Sequence, residues 1–511
     1  MIKILEIFCV MNTLKDLIPP LYNFVKKNAG LTLLLAVIAC VFVMTRFYDF
    51  ETHVMFLGDQ GRDASIVRKL VTLENLPFIG APSSIGQVYL GPFYYYLIAP
   101  FLPLFAWNPS GLAFGVSIIA IIGSIFGSFI VKKQFGWTTA VVFLTLITLS
   151  STLIDLARFS WNPNLLPYFS FATLYFFSSW LDTQTTRNGI LFGLFLGLSM
   201  QLHYLMALVL PAFLILFLMS LHKRSVKERI TMLRNLVLPI GIFLITMIPL
   251  ILFDVRHGFI NATQLLKLLT DGGLSTSGLP YLARLVETIN GLFVNAFTMH
   301  IPHAVGILLF SLFLIAGFVL SRRINSRFFT LNLVVVLTYV LGFAYLGSPR
   351  LAHYYVPMYL SVYLIIAAIP VIISRKNIAL GVAGSIIAIF FLFNMQNYHF
   401  LNSHVTNQIQ LARQISASFK PHIQQDPIQI VTIPYTESHG HYRYFLEVMG
   451  YSLIAEDSSE QANELYVMCF EECIPQDDPQ WQIAAFENKK VVEHWRIENV
   501  TIYKLIHGTN P

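Results

Sequence analysis

Apolar runs of about bilayer length recur along the chain, and a polypeptide built this way has few folds open to it. Runs of this kind fall at about 30–48, 111–131, 137–155, 165–181, 189–201, 203–219, 235–253, 303–320, 328–346, 352–373 and 377–395. They read as membrane helices. Composition agrees: 56% of residues are hydrophobic and only 12% are charged, against about 25% charged in an ordinary soluble domain. The net charge of +6 is not a nucleic-acid signal. Its excess Lys and Arg sits mostly in short connections between the runs, where charge bias sets orientation. Four cysteines are too few for a disulfide scaffold.

Orientation follows from that bias. Segments 1–29, 132–136, 182–188, 220–234, 321–327 and 374–377 hold about twice as many Lys and Arg as the longer set 49–110, 156–164, 202, 254–302 and 347–351. The first set is therefore expected in the cytoplasm, and the region after residue 395 outside. Lys3, Lys15, Lys26 and Lys27 lead into a full-length span, which does not read as a cleaved signal peptide. The run 90–107 is apolar but short, and Pro100 and Pro103 interrupt it. Counting it as a span would invert everything after it, so it is laid along the outer interface with its Tyr and Trp. The 31-residue stretch 189–219 is too long for one straight crossing at about 1.5 Å per residue. It is expected to turn near Gln201 and His203.

The expected fold is an all-α polytopic membrane bundle of about eleven transmembrane helices plus interfacial helices, with a small C-terminal extracytoplasmic α/β domain. Three parts follow: a cytoplasmic segment 1–29, a membrane domain 30–395 with a first outer loop 49–110 and a large one 254–302, and a soluble domain 396–511. In the last, 428–433 and 464–470 read as strands, 439–450 as a helix closed by Gly450, and the closing residues as a hairpin around Glu498 and Asn499. Cys469 and Cys473 are spaced for a small disulfide loop.

Ionisable groups at membrane depth are costly and tend to mark function. Here five outer segments carry them: Asp59, Arg62 and Asp63; Asp155, Arg158, Asn162 and Asn164; His203 and Tyr204; Asp254, Arg256 and His257; and Arg350, His353, Tyr354 and Tyr355. In the expected topology all five share one membrane face. A carboxylate there accepts a proton from an attacking hydroxyl. Arg and His hold a departing phosphate. Each residue also has a plainer reading. A loop acid faces water, Arg62 pairs with a neighbouring acid, His203 caps a helix, and Arg256, His257, Arg350 and His353 anchor at the interface. Their joint placement favours an enzyme working at the outer face. The alternative, a transporter or lipid-carrier flippase, expects charges or broken helices near the midplane. No phosphate-binding loop or dinucleotide fingerprint is present.

Five short motifs then carry a resemblance. Over about residues 30–400 the chain resembles the C-type polytopic glycosyltransferases, in the bacterial branch related to protein O-mannosyltransferases and lipid A aminoarabinose transferases. Their acidic D-E-x-x-Y-A motif has its counterpart in Asp59-Gln60-Gly61-Arg62-Asp63-Ala64, with Gln60 in place of the second acid and Asp63 in place of Tyr. Gly91-Pro92-Phe93-Tyr94-Tyr95-Tyr96 is similar to G-P-x-x-Y-Y. The stretch from Ala157-Arg158 to Asn162-Pro163-Asn164 is similar to A-R-x-x-P-D. His203 stands near the hairpin tip that often bears Lys, and His353-Tyr354-Tyr355-Val356-Pro357 is similar to R-Y-x-x-P. The resemblance implies inverting transfer of a sugar from a polyprenyl-phosphate carrier to an extracytoplasmic glycan, lipid or protein. It implies a catalytic or acceptor-positioning role for Asp59; the polar inventory adds Asp63 as a second catalytic candidate and a donor site drawn from Arg62, Arg158, His203, Arg256, His257, Arg350, His353 and Tyr354. No cofactor is expected, and with Gln60 in the second position the sequence gives no support for a divalent metal. The expected partners are the carrier-linked sugar, membrane lipids and the acceptor.

Overall fold

The computed structural model describes residues 25–83, 88–270, 278–401, 406–456 and 458–508. Most of the expected cytoplasmic segment, residues 1–24, lies outside the described residues. Among these, seven helices are long and apolar enough to cross a membrane: Ala29–Phe47, Ser110–Phe135, Tyr204–His222, Val226–Arg256, His303–Ile324, Arg327–Tyr345 and Lys376–Asn397. An eighth is Trp137–Leu149 with Ser151–Ala157, bent by 64°. The other three expected spans fall on Leu166–Thr183, Thr186–Leu202 and the Val356–Ile372 run, which are shorter or less apolar. The expected eleven thus stand at seven or eight by length and composition. Leu166–Thr183 accounts for one of the three: it buries residues on nearly every side, including Ser170, Thr173 and Ser178, so protein and not lipid surrounds it.

The bend at Ser150 has a local cause. Ser150 Oγ accepts from Leu153 N at 3.2 Å and starts a new helix. The carbonyls left without helical partners are met by Arg46, which is fully buried and donates to Thr148 O at 2.7 Å and Ile147 O at 2.8 Å. Unpaired carbonyls in an apolar medium would otherwise cost several kcal/mol each. The hairpin turns where expected, with helix Thr186–Leu202 ending at an extended His203. The run 90–107 forms two short helices, Phe93–Ile98 and Phe101–Leu104. Tyr94, Tyr95, Ile98 and Leu102 are buried, so it packs into the bundle and does not lie open along the interface. The long connection 254–302 contains an unexpected amphipathic helix, Tyr281–Phe297. It buries Ile289, Leu292, Phe293, Ala296 and Phe297, a helical stripe that packs on the bundle.

Beyond the bundle, β1 (Ile428–Ile433), β2 (Glu464–Cys469), β3 (Lys489–Ile497) and β4 (Val500–His507) form one sheet in the order β1-β2-β4-β3. β1 and β2 are parallel and the other pairs antiparallel. β1 and β2 are buried along almost their whole length, while edge strand β3 alternates. Helix Gly440–Val448 ends near Gly450, whose φ of +96° is open only to glycine at little cost. Cys469 and Cys473 are disulfide-bonded.

This sheet-and-helix unit docks on helix Gly58–Val71. The two backbones approach so closely that a Cβ on Gly61 would lie 2.2 Å from His441 N, and one on Gly440 would lie 2.5 Å from Gly58 O. Around the contact, Phe56 packs edge-on against Tyr444 and Phe445. Tyr444 donates to Trp107 O at 2.6 Å, and Lys69 pairs with Glu447 at 3.4 Å.

Candidate active site

Helix Gly58–Val71 supplies the acids. Gln60 Oε1 accepts from Leu57 N at 3.1 Å, meeting one of the donors that every helix start leaves open. Gln60 thus holds the helix start in place. Asp59 lies in the first turn, where the helix dipole favours a carboxylate, and its side chain is 55% exposed. Arg62, one turn on, reaches both acids. It donates Nη1 to Asp59 Oδ1 at 2.8 Å, and Nε and Nη2 to Asp63 Oδ1 at 3.0 and 2.8 Å. Asp63 is fully buried. Tyr95 donates to the same oxygen at 3.0 Å, while Asp63 Oδ2 is buried with no hydrogen-bond partner. Burial pushes the Asp63 carboxyl above its ordinary value, against the pull of Arg62 and Tyr95. Burial also works against the Arg62 cation, but Asp63, Tyr95 and Asp59 outweigh it and hold the guanidinium charged.

Asp59 and Arg62 open onto a narrow cleft of about 50 Å³ that they share with Trp161, His203, Ser348, His353 and Tyr354. Four stretches far apart in sequence meet there. Asn162, also on the cleft wall, donates to Leu202 O at 2.7 Å and ties its turn to the hairpin tip. His203 Nδ1 accepts from Leu205 N at 3.1 Å. The ring therefore caps the next turn and carries its proton on Nε2 as a donor. The His353 ring centre lies 4.6 Å from Trp161 and 6.4 Å from His203. Among the described residues no hydrogen bond holds it. Both rings sit on connections between spans. Burial lowers His203 to about 3, with His353 adding to the shift, and lowers His353 to about 4. Both are neutral donors and acceptors near pH 7, and Arg62 brings the positive charge.

The remaining predicted residues lie elsewhere. Arg158 donates to Thr45 O at 3.2 Å and Tyr48 O at 2.9 Å, and its guanidinium lies over Phe50 and Phe400. It lines a second hollow of about 320 Å³ with Asp155 and His399, which are 2.9 Å apart. Arg256 is exposed at a helix end, and His257 stacks on Phe253 with ring centres 4.1 Å apart. Arg350 donates to Leu346 O at 3.1 Å and Ser348 O at 2.7 Å. It shapes the turn that brings Ser348 to the cleft. Sequence reasoning missed Trp161 and Ser348 as wall residues. Trp161 carried a signal, as an aromatic beside Asn-Pro in an outer turn; Ser348 carried none. Among the described residues, no three His, Cys, Asp or Glu side chains converge as a metal site would need.

The bundle with a polar cleft at one rim and a small sheet domain docked above it has the fold of the C-type glycosyltransferases. The resemblance read from the sequence is borne out, by the fold over nearly the whole chain and by a family segment within it. Residues 90–252 match the family model described as dolichyl-phosphate-mannose-protein mannosyltransferase. The chain is similar to the crystal structure of ArnT from Cupriavidus metallidurans bound to undecaprenyl phosphate. That match has a TM-score of 0.57 at 11% identity and covers 94% of this chain and 100% of that one. Against the same protein in the apo state the TM-score is 0.55 at 13% identity, covering 94% and 98%. No curated protein sequence matches the chain.

Proposed function

We propose that the protein is a membrane glycosyltransferase that moves a sugar from a polyprenyl-phosphate carrier to an extracytoplasmic acceptor, with Asp59 as the proton acceptor. The observation that carries this reading is the convergence of Asp59, Arg62, His203, His353 and Tyr354 on one cleft. In the step, the acceptor hydroxyl oxygen attacks the anomeric carbon from the side opposite the carrier. The carbon–oxygen bond to the phosphate breaks, its electron pair stays on the phosphate, and the hydroxyl proton passes to Asp59. One such displacement inverts the anomeric centre.

The cleft supplies what this step needs. Asp59 Oδ1 is held by Arg62, which leaves Oδ2 to face the cleft as a base. Arg62 and the neutral N–H of His203 meet the negative charge that grows on the leaving phosphate. Asp63 aligns Arg62 from behind and is a positioning residue, since it is buried away from solvent. No cofactor is required, because the carrier phosphate is itself the leaving group.

Positive-inside bias supports the cleft and the sheet domain facing outward. The Cys469–Cys473 disulfide supports the same side, since such bonds persist where the medium is oxidising. The test is to incubate the purified protein with a panel of polyprenyl-phosphate sugars and follow release of the carrier phosphate. Turnover is expected with at least one donor, and Asp59→Asn should lower it by about 10²–10⁴-fold while the protein still inserts. Full activity of that variant would overturn the role given to Asp59.

A further inference from the structure

The sheet domain carries a second cavity that the transfer chemistry above does not use. It has a volume of about 370 Å³, within the range of small-ligand sites. It opens at the carboxyl end of β1, beside the start of helix Gly440–Val448, where open sheets with parallel strands commonly bind ligands. Its wall combines two kinds of group. Tyr435 and Trp481 are exposed aromatics at 78% and 45%. Glu437, Glu456 and Gln480 supply acceptors and an amide.

The wall is held in shape from within. Gln480 Nε2 donates to Thr432 O at 2.9 Å, and Thr432 Oγ1 donates to Glu437 O. Aromatic faces stack on the C–H faces of a ring, and carboxylates and amides accept from hydroxyls. A ligand with both features on one small body is a sugar. Two carboxylates on the wall disfavour an anionic ligand.

The location adds a role. Ser438 lines the cavity and packs on Gly58, the residue before Asp59: a Cβ on Gly58 would lie 1.8 Å from Ser438 Oγ. The cavity is therefore fixed to the helix that carries the acids.

Resting on the transferase reading, we infer that this cavity is a subsite for a neutral glycan acceptor, which it holds on the sheet domain beside the Asp59 helix. The test uses the full-length protein in lipid nanodiscs and saturation-transfer NMR against maltotriose, chitotriose, mannotriose and a Ser/Thr-rich peptide. At least one trisaccharide should give a signal in the wild type. That signal should fall about tenfold or more in Trp481→Ala, fall in Tyr435→Ala, and persist in Asp59→Asn. Silence from all three sugars, or an unchanged signal in Trp481→Ala, would overturn the inference. So would a signal from the peptide alone that Trp481→Ala removes, which would mark a polypeptide acceptor. Binding of undecaprenyl phosphate to Trp481→Ala, measured alongside, should equal that of the wild type. Failure here and failure of the transferase reading are thereby separate results.

Discussion

Two polar hollows lie among the connections between spans, and they use the same residue types in opposite ways. Around Arg158 the charges are consumed by the protein. Its guanidinium serves the carbonyls of Thr45 and Tyr48 and lies over two phenyl rings, while Asp155 faces His399. Around Arg62 the pairing is incomplete. Among the described residues, Asp59 is half exposed with no hydrogen bond on its second oxygen, and the His353 ring makes only ring contacts. The histidines differ too. The hydrogen bond and charge of Asp155 raise His399, whereas burial lowers His203 and His353. Arginine and histidine at a membrane rim therefore do not by themselves mark a site. Unmet hydrogen-bonding capacity facing a cleft is what separates the Arg62 cleft from the Arg158 hollow.

The sharpest break of that comparison is between the two arginines. Arg62→Ala should cost about 10²–10³-fold in transfer rate, the scale of losing one donor to a developing anion, with insertion intact. Arg158→Ala should leave the rate per folded molecule near that of the wild type. It should lower stability by about 1–3 kcal/mol, because buried carbonyls lose their donor, read as a lower midpoint in a thermal melt. Equal rate losses in the two variants would erase the distinction.

Asp63→Asn comes next. It removes the buried partner of Arg62 and is expected to destabilise by about 3 kcal/mol. Transfer should fall even in molecules that fold, with kcat affected more than KM, because Arg62 loses its alignment. Gly61→Ala tests the rear of the same helix. Its new Cβ would meet the backbone of Gly440 and His441, so the sheet domain should loosen, and limited proteolysis between the bundle and β1 should speed up.

The smallest effect is in pH. His203 and His353 bind fewer protons folded than unfolded between about 4 and their ordinary 6.5. Their contribution to stability is present above pH 6.5 and is lost as pH falls below it. His399 runs the other way: its contribution is present below 6.5 and is lost as pH rises through its raised value. Thermal melts of His353→Gln should therefore fall less on acidification than those of the wild type. Those of His399→Gln should differ from the wild type most at low pH.

Much of this was legible beforehand. Apolar length located Ala29–Phe47, Ser110–Phe135 and His303–Ile324 closely, because a lipid-facing helix has to be apolar along its whole length. The turn at His203 and the strands of the sheet domain followed from length and alternation. Other features depend on neighbours that a local reading cannot see. The break at Ser150 needs Arg46 to meet the freed carbonyls. Helix Tyr281–Phe297 is apolar on only one stripe, so span-length hydropathy passes over it. That Arg62 pairs with a neighbouring acid was one reading of the sequence, and Arg62 bridges Asp59 and Asp63. That one is exposed and the other sealed is set by Tyr95, which comes from another segment. Arg158 and His203 looked alike as candidates until their partners were known.

Transfer at the Asp59 cleft requires the carrier phosphate to sit beside Arg62. A cryo-electron microscopy structure of the protein with undecaprenyl phosphate in nanodiscs would show it directly. The phosphate is expected within hydrogen-bonding distance of Arg62 and of His203 or His353, with the lipid chain leaving between the helices. Density for the phosphate beside Arg158 and His399, with the Asp59 cleft empty, would contradict it.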